Sequence, residues 1–466
     1  MDVTIHSIGM NRGAPRLWLE GNMLARSGFS PRTRYEVIRI ENGLMFKASP
    51  TGRRGVVEKV KREKSIPVID LNSAEALSAF EGLEHVRVVY KTGEIYILPE
   101  ASELRARERV ARVAAKLRAG EPLQLGSLAH GMGVMDDATA AGFARAGIAS
   151  ELKFANEIRA DLLDHAINVG RTFTGKTIAL QGKMQEFAFD EYVMRAIGQC
   201  DHLSAGMPCS GASLAGRAKR KLAHAESHIE VGHLVVAFIA VVARTNPVSW
   251  SLENVVPYLS SASMDIIYGM MKDLGYDVHV SIESGADWNA LENRKRGVIV
   301  GVTKGIKFSF DDIERPTKIE RKLADILEDV ALDDPRWKPM NGLKEKAVRD
   351  AAAGKNFAMQ IFTADDTSIG TLTKGISKNR STDCKLQHPV NPDLLRLPTP
   401  LEHAAAKSIP VALLGNVGDL SDTIAHEGLG QSVIYPKIEG VSYHLAKSLN
   451  AMLIEAEEEP FMLAAA

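Results

Sequence analysis

The chain has 466 residues, too many for one ordinary hydrophobic core, and its composition is that of a globular protein with two or three domains. Its 57 lysines and arginines nearly cancel 58 aspartates and glutamates, which excludes a global field for gathering polyanions and leaves that work to local basic patches. Cys200, Cys209 and Cys384 lack paired spacing, which argues against a disulfide framework or a metal site and for a reducing compartment, with the cytoplasm expected. The opening residues carry no apolar signal core. The longest apolar run, Leu234 to Ala243, is about half of a membrane span and predicts a buried helix rather than a membrane segment.

Residues 1–100 read as a β-rich domain. Short runs such as Arg16-Leu17-Trp18-Leu19 and Tyr35 to Ile40 lie between glycine, proline and asparagine turns, and Val86 to Tyr90 with Glu94 to Leu98 predicts a hairpin around Thr92-Gly93. The stretch RLWLEGNMLARSGFSPRTRYEVIRIENGLMFK resembles the SymE-like toxin family, with a swapped-hairpin fold akin to AbrB-type DNA-binding domains. The alternative is an accessory β-domain that only packs or dimerises. Residues 101–120, rich in Ala, Arg, Glu and Leu and closed by Gly120, predict a linker helix with a solvated charged face.

From Leu123 short apolar runs alternate with helical stretches, the texture of an α/β sheet. Leu123 to Leu128 predicts a buried strand, Ala129 to Gly133 a glycine turn and Met135 to Gly147 the next helix, so that backbone amides can approach a ligand. A second strand, Glu151 to Ala155, leads to Glu157, 24 positions beyond Gly133, where an acid can accept both hydroxyls of a ribose. Thr177 to Leu180 predicts a third strand.

Asp201 to Ala205 rises into Gly206-Met207-Pro208-Cys209-Ser210-Gly211, which sets one thiol after a proline at a strand's C-terminal end. Beyond it Arg217, Lys219, Arg220 and Lys221 form the densest basic patch, read either as a solvated helix face or as a mobile loop that closes on a polyanion. Ser249 to Asn254 predicts a strand delivering Glu253, and Val278 to Ser281 with Gly297 to Val302 a hairpin-like pair near Arg294 and Arg296. Residues 305–393 lose this rhythm and predict an insert, with a charged helix near Lys318 to Val330 and a basic stretch carrying Lys374, Lys378 and Arg380. Residues 394–466 resume the α/β texture and end in an amphipathic helix from Lys437 to Glu457.

Together these residues resemble the cytosine-C5 DNA methyltransferases from about Leu123 to Leu453. The pieces are the Gly131 to Gly133 turn, Glu157, Pro208-Cys209, Glu253-Asn254-Val255, Arg294-Lys295-Arg296, the Arg396 to Glu402 segment and Gly430 to Val433. The resemblance implies an S-adenosylmethionine-dependent, Rossmann-like α/β fold with the catalytic domain in residues 121–304 and 394–466, interrupted by a target-recognition insert. It implies methyl transfer from S-adenosyl-L-methionine to carbon 5 of cytosine in double-stranded DNA, in a restriction-modification setting, through a covalent Cys209 adduct on a flipped base. Glu253 would meet N3 and the exocyclic amine, Arg294 would grip O2, and Arg296 would anchor the strand pair. Leu128, Gly131, Gly133, Phe154, Glu157, Pro208 and Ser432 would lie along the cofactor pocket. Arg217, Lys219, Arg220, Lys221, Lys374, Lys378 and Arg380 would contact DNA.

The departures are Leu128 for a phenylalanine, His130 among the glycines, Lys183 where an aspartate accepts from adenine, Ser210 and Glu292 at glutamine positions, and Gln431 for an asparagine. The resemblance therefore predicts a looser cofactor loop around His130. Two other functions fit the same residues: a tRNA cytosine-C5 methyltransferase, and a non-catalytic DNA-binding or toxin-like regulator.

Overall fold

The apolar runs after Leu123 assemble, in this computed structural model, into a seven-stranded sheet. Its order is Ile178–Gln181, Ser150–Glu157, Leu123–Leu128, His202–Ala205, Ser249–Asn254, Lys295–Thr303 and Tyr276–Ser284. The first five run parallel, and the last two form an antiparallel hairpin that pairs with Ser249–Asn254 through Lys295–Thr303. The structure describes residues 1–208, 211, 224–355, 358–416 and 419–458, the side chains of 455–458 excepted. Of the expected site residues, Cys209, Arg217, Lys219, Arg220 and Lys221 lie outside them.

The central strands are apolar because parallel strands are covered on both faces. Helices Val134–Arg145, Ala160–Val169, Leu234–Thr245 and Ala262–Asp273 accompany the strands, and Tyr435–Glu458 closes the described chain. The apolar run expected as a buried helix is Leu234–Thr245, whose Leu234, Val235, Phe238 and Val242 enter the main core. Among the described residues no helix is long and apolar enough to cross a membrane. Strand order reverses between Leu123–Leu128 and His202–Ala205, so the crevice where such sheets bind ligands opens at the C-terminal ends of these two neighbours. Gly206 N donates to Leu128 O at 3.0 Å, which ties the exits of the two strands together. At the opposite end of the strand the fully buried Asp201 carboxylate takes Arg112 Nε at 3.1 Å, Lys116 Nζ at 2.5 Å and Gln124 N at 2.7 Å.

The expected insert, residues 305–393, has a helix at Asn341–Ala352 and supplies Gln360–Phe362 and Cys384–Gln387 to a small three-stranded sheet whose third strand, Leu395–Arg396, lies past the expected boundary and pairs with Cys384–Gln387 rather than with the main sheet. Its core of Leu323, Ile369, Leu372, Ile376 and Leu386 includes Leu291 and Ala406, so it packs onto the segments that flank it. The helix expected near Lys318 to Val330 is absent. Only the short turn Leu323–Asp325 forms, because Leu323 N and Ala324 N donate to Asp366 O and Ala364 O, both at 2.8 Å, and the bonds a helix needs are taken by a neighbouring segment.

The chain divides into compact units, one of Met1–Ala111 and one of Arg112–Ile454, and the division falls inside the helix Ala101–Ala119. The first unit is β-rich as expected, with a six-stranded and a four-stranded sheet around Leu17, Leu19, Phe29, Phe46, Ile95 and Ile97. The hairpin expected around Thr92-Gly93 is His85–Lys91 paired with Glu94–Pro99.

Trp250 and Gly301 face each other across the strands Ser249–Asn254 and Lys295–Thr303, and a Cβ on Gly301 would meet the indole at 2.0 Å. The fully buried ring fills the space a side chain would need. Gly301→Ala should therefore destabilise the second unit by about 1–3 kcal/mol, read as a lower urea midpoint at unchanged slope.

Candidate active site

The glycine turn leaves Leu128 with Ala129, Gly131 and Gly133 at φ of 54°, 60° and 78°, and Gly133 opens the helix Val134–Arg145. Glycine is free to adopt positive φ, so the turn presents amides at a helix N-terminus. Glu157, at the end of the adjacent strand, braces it: Oε2 accepts from Gly131 N at 2.7 Å and Oε1 from Arg159 N at 3.0 Å. Leu128 and Phe154 are buried at 3% and 0% exposure and form the apolar footing of this turn.

His130 does not loosen the loop. Its ring is buried, with Nδ1 2.9 Å from Ser127 Oγ and 2.8 Å from Asp136 Oδ2, and Ser127 Oγ donates to the same carboxylate at 2.6 Å. A Cβ on Gly133 would lie 2.9 Å from His130 Nε2, so the imidazole packs under the turn and stiffens it. Lys183 is exposed at the start of the short helix Met184–Ala188. Ser432 ends the helix Asp422–Gln431, where its Oγ donates to Gly428 O at 2.8 Å.

The loop that begins Gly206-Met207-Pro208 leaves the neighbouring strand, and Pro208 is exposed. Asn254 Nδ2 donates to Met207 O at 3.4 Å while its Oδ1 accepts from Val255 N at 2.8 Å, so the Glu253-Asn254-Val255 triplet holds the entrance of that loop. A shallow cleft, open to solvent, lies here against Met207, Pro208, Gly211, Tyr258 and Ser263.

Glu253 is buried at the end of its strand with cations on several sides. Oε1 accepts from Lys437 Nζ at 3.1 Å and lies 3.9 Å from Arg296 Nε. Burial works to raise the carboxyl, but the charges of Lys437, Arg294 and Arg296 outweigh it and hold Glu253 below the usual carboxylate range. Arg294 is 4% exposed and donates from Nη1 to Gly430 O at 3.0 Å, with Glu292 Oε1 3.7 Å from the same nitrogen. Arg296 also donates from Nη1 to Lys295 O, its neighbour on the same strand, at 2.7 Å. Sequence reasoning identified Glu253, Arg294 and Arg296 but missed Lys437, although it falls on the buried stripe of Ile438, Val441 and Leu445 in the closing helix. A charge on an apolar helical face was the available signal.

Glu292 has a buried partner as well. Lys407 Nζ sits 2.7 Å from Glu292 Oε2, close enough for an ion pair but off the line of a good hydrogen bond. Burial and the nearby Arg294 lower the Lys407 ammonium to about 7, against the pull of Glu292. Lys374, Lys378 and Arg380 lie exposed on the insert, in the segment that follows the pairing of Ile369 with Glu292; Arg380 N donates to Asp383 Oδ2 at 2.7 Å.

A sequence profile of the C-5 cytosine-specific DNA methylases matches residues 131–392, more than half of the chain. The chain belongs to this family. Curated relatives include the Type II methyltransferase M1.ScrFI of Lactococcus lactis subsp. cremoris, 27% identical over 53% of this chain and 63% of that protein. Another is M.SsoII of Shigella sonnei, 28% identical over 54% of this chain and 65% of that protein. The chain thus spans just under two thirds of the length of these relatives. The Dnmt2 methyltransferase of S. pombe shares the fold, with a TM-score of 0.55 at 17% identity over 71% of this chain and 99% of that one. EhMeth of Entamoeba histolytica does so with a TM-score of 0.53 at 15% identity over 72% and 99% of the two chains.

In this protein the Glu292–Lys407 pair gives a stability test, because burying two charges costs more than their attraction returns, whereas stripping one partner leaves the other uncompensated. Lys407→Met alone should lose about 3–5 kcal/mol, while Glu292→Gln with Lys407→Met should be neutral or gain about 1–4 kcal/mol in urea unfolding. The folded-state ammonium lies at about 7, below its unfolded value, so between the two the unfolded chain binds more protons. Wild-type stability should therefore rise with pH above about 7 relative to the double variant.

Proposed function

We propose that this protein transfers a methyl group from S-adenosyl-L-methionine to carbon 5 of cytosine in double-stranded DNA. The observation that carries the reading is the convergence, at the switch point of the sheet, of the Glu253 carboxylate, Arg294 and the entrance of the Pro208-Cys209 loop, beside the glycine turn. The turn supports the cofactor reading: Gly133 opens the helix Val134–Arg145, Glu157 stands beside the turn for a ribose, Pro208 and Ser432 lie toward solvent along the pocket, and the buried Leu128 and Phe154 back it from behind. Bound there, the cofactor supplies an electrophilic methyl group.

The remaining chemistry belongs to the chain. Carbon 5 of cytosine is a weak nucleophile until a thiolate adds at carbon 6 and turns the ring into an enamine, and Cys209 is the thiol at this position in the sequence. Addition moves negative charge onto N3, where Glu253 holds the base edge and supplies a proton, and Arg294 grips O2. Once the methyl group is on carbon 5, a base removes the carbon 5 proton and the cysteine leaves by elimination. A stacked base cannot meet the thiol, so the cytosine is swung out of the duplex. Lys374, Lys378 and Arg380 on the target-recognition insert, with Arg217, Lys219, Arg220 and Lys221 after the cysteine, take the phosphates. The names of the curated relatives support a Type II restriction-modification setting, and the cysteine usage supports the cytoplasm.

Duplex DNA incubated with methyl-labelled S-adenosylmethionine should gain label at carbon 5 of cytosine. Cys209→Ser should label none, and Glu253→Gln should slow single-turnover transfer by about 10²–10⁴-fold. Equal labelling by Cys209→Ser, or labelling of tRNA in preference to DNA, would contradict the assignment.

A further inference from the structure

We propose that Lys437 is the positioning residue of the base-gripping carboxyl: its buried ammonium fixes Glu253 Oε1 and leaves Oε2 to face the cytosine edge. This inference rests on the methyl-transfer reading above and names a residue that the sequence pattern did not.

Lys437 stands in the first turns of the closing helix Tyr435–Glu458, with its side chain fully buried. A helix carries a lysine on its apolar stripe at a cost unless a partner takes the charge. Here the partner is Glu253, with Nζ 3.1 Å from Oε1. The other cations that face Glu253 are Arg294 and Arg296, and the same two face Lys437. Neither duplicates its contact: Arg296 Nε stays 3.9 Å from Oε1, and Arg294 Nη1 is engaged by Gly430 O. Lys437 is thus the one hydrogen-bond donor to this carboxylate among the described residues, and Oε2 is left without one.

Two effects follow for the base. The carboxylate plane is set by a rigid helix rather than by solvent, so Oε2, the oxygen that carries the proton, can face N3 without a search of rotamers. The ammonium also holds Glu253 ionised, which lowers the pH at which the carboxyl carries the proton that N3 needs. In that step the proton passes from the Glu253 carboxyl to N3 as the Cys209 sulfur–carbon 6 bond forms, and it returns to the carboxylate when that bond breaks. Removing the ammonium makes the acid form persist to higher pH while loosening its orientation.

The test is the pH profile of single-turnover methyl transfer by the full chain with saturating duplex DNA and S-adenosylmethionine, for wild type, Lys437→Arg and Lys437→Met. The descending limb of Lys437→Met should move up by about one pH unit, which is tenfold in relative rate at the alkaline end, while DNA affinity stays within about twofold. Lys437→Arg should keep the wild-type limb. Superimposed profiles for wild type and Lys437→Met, or an equal displacement in Lys437→Arg, would overturn the proposal, since the lysine would then only fill space. Should Lys437→Met fail to fold, Lys437→Gln takes its place with the same two outcomes. A wild type that transfers no methyl group overturns the functional reading instead, and isotope-edited infrared titration of Glu253 still decides this one: the Lys437→Gln carboxyl must titrate at higher pH than the wild type.

Discussion

One buried carboxylate among several cations is the constraint on which the rest of the catalytic unit depends. Glu253 sits at the end of a strand with Lys437, Arg294 and Arg296 around it, each delivered by a different piece of chain: the closing helix, the segment after Trp288 and the adjacent antiparallel strand. None of these groups is tolerable alone in that environment. A buried ion without its partner costs several kcal/mol, so the cluster forms whole or the sheet edge and the closing helix do not seat. This coupling explains why the C-terminal helix, far along the chain, is part of the site rather than a peripheral cap.

The sheet converts that cluster into an oriented site. The hairpin Tyr276–Ser284 with Lys295–Thr303 brings Arg296 beside Glu253, because Glu253 pairs in register with Val298 and Asn254 with Gly297. A slip of one residue would turn the arginine and the carboxylate to opposite faces. On the other side of the switch point, the glycine turn is stiffened from below by the His130 ring and from the side by Glu157, so both halves of the crevice are held by buried polar bonds. The insert is tied into the same arrangement. Asn293 N donates to Ile369 O at 2.8 Å, next to the arginine that the cluster needs.

Much of this was legible in the amino-acid sequence because the signals are local. The strand Ser249–Asn254 and the hairpin beyond it show as short apolar runs ended by turn residues, and the glycine turn shows as residues that tolerate positive φ. What was not legible depends on pairs distant in the chain. Lys437 is marked in the sequence only by its place on an apolar stripe, and neither it nor Lys407 shows its partner until Glu253 and Glu292 are placed beside them. His130 reads as an interruption of a flexible loop until Ser127 and Asp136 are seen to bind its ring. The expected helix near Lys318 failed for the opposite reason: helix-forming composition was outweighed by backbone bonds to a segment some forty residues on, at Ala364 and Asp366.

The central claim is that Cys209 forms a bond to a cytosine taken out of the duplex. The most direct measurement uses duplex DNA with 5-fluorocytosine at the methylated position, where fluorine blocks the elimination that would release the enzyme. With S-adenosylmethionine present, the wild-type chain should remain attached to the DNA under denaturing conditions, and peptide mass spectrometry should place the nucleotide on Cys209. No covalent complex, or one that forms equally well with Cys209→Ser, would contradict the account.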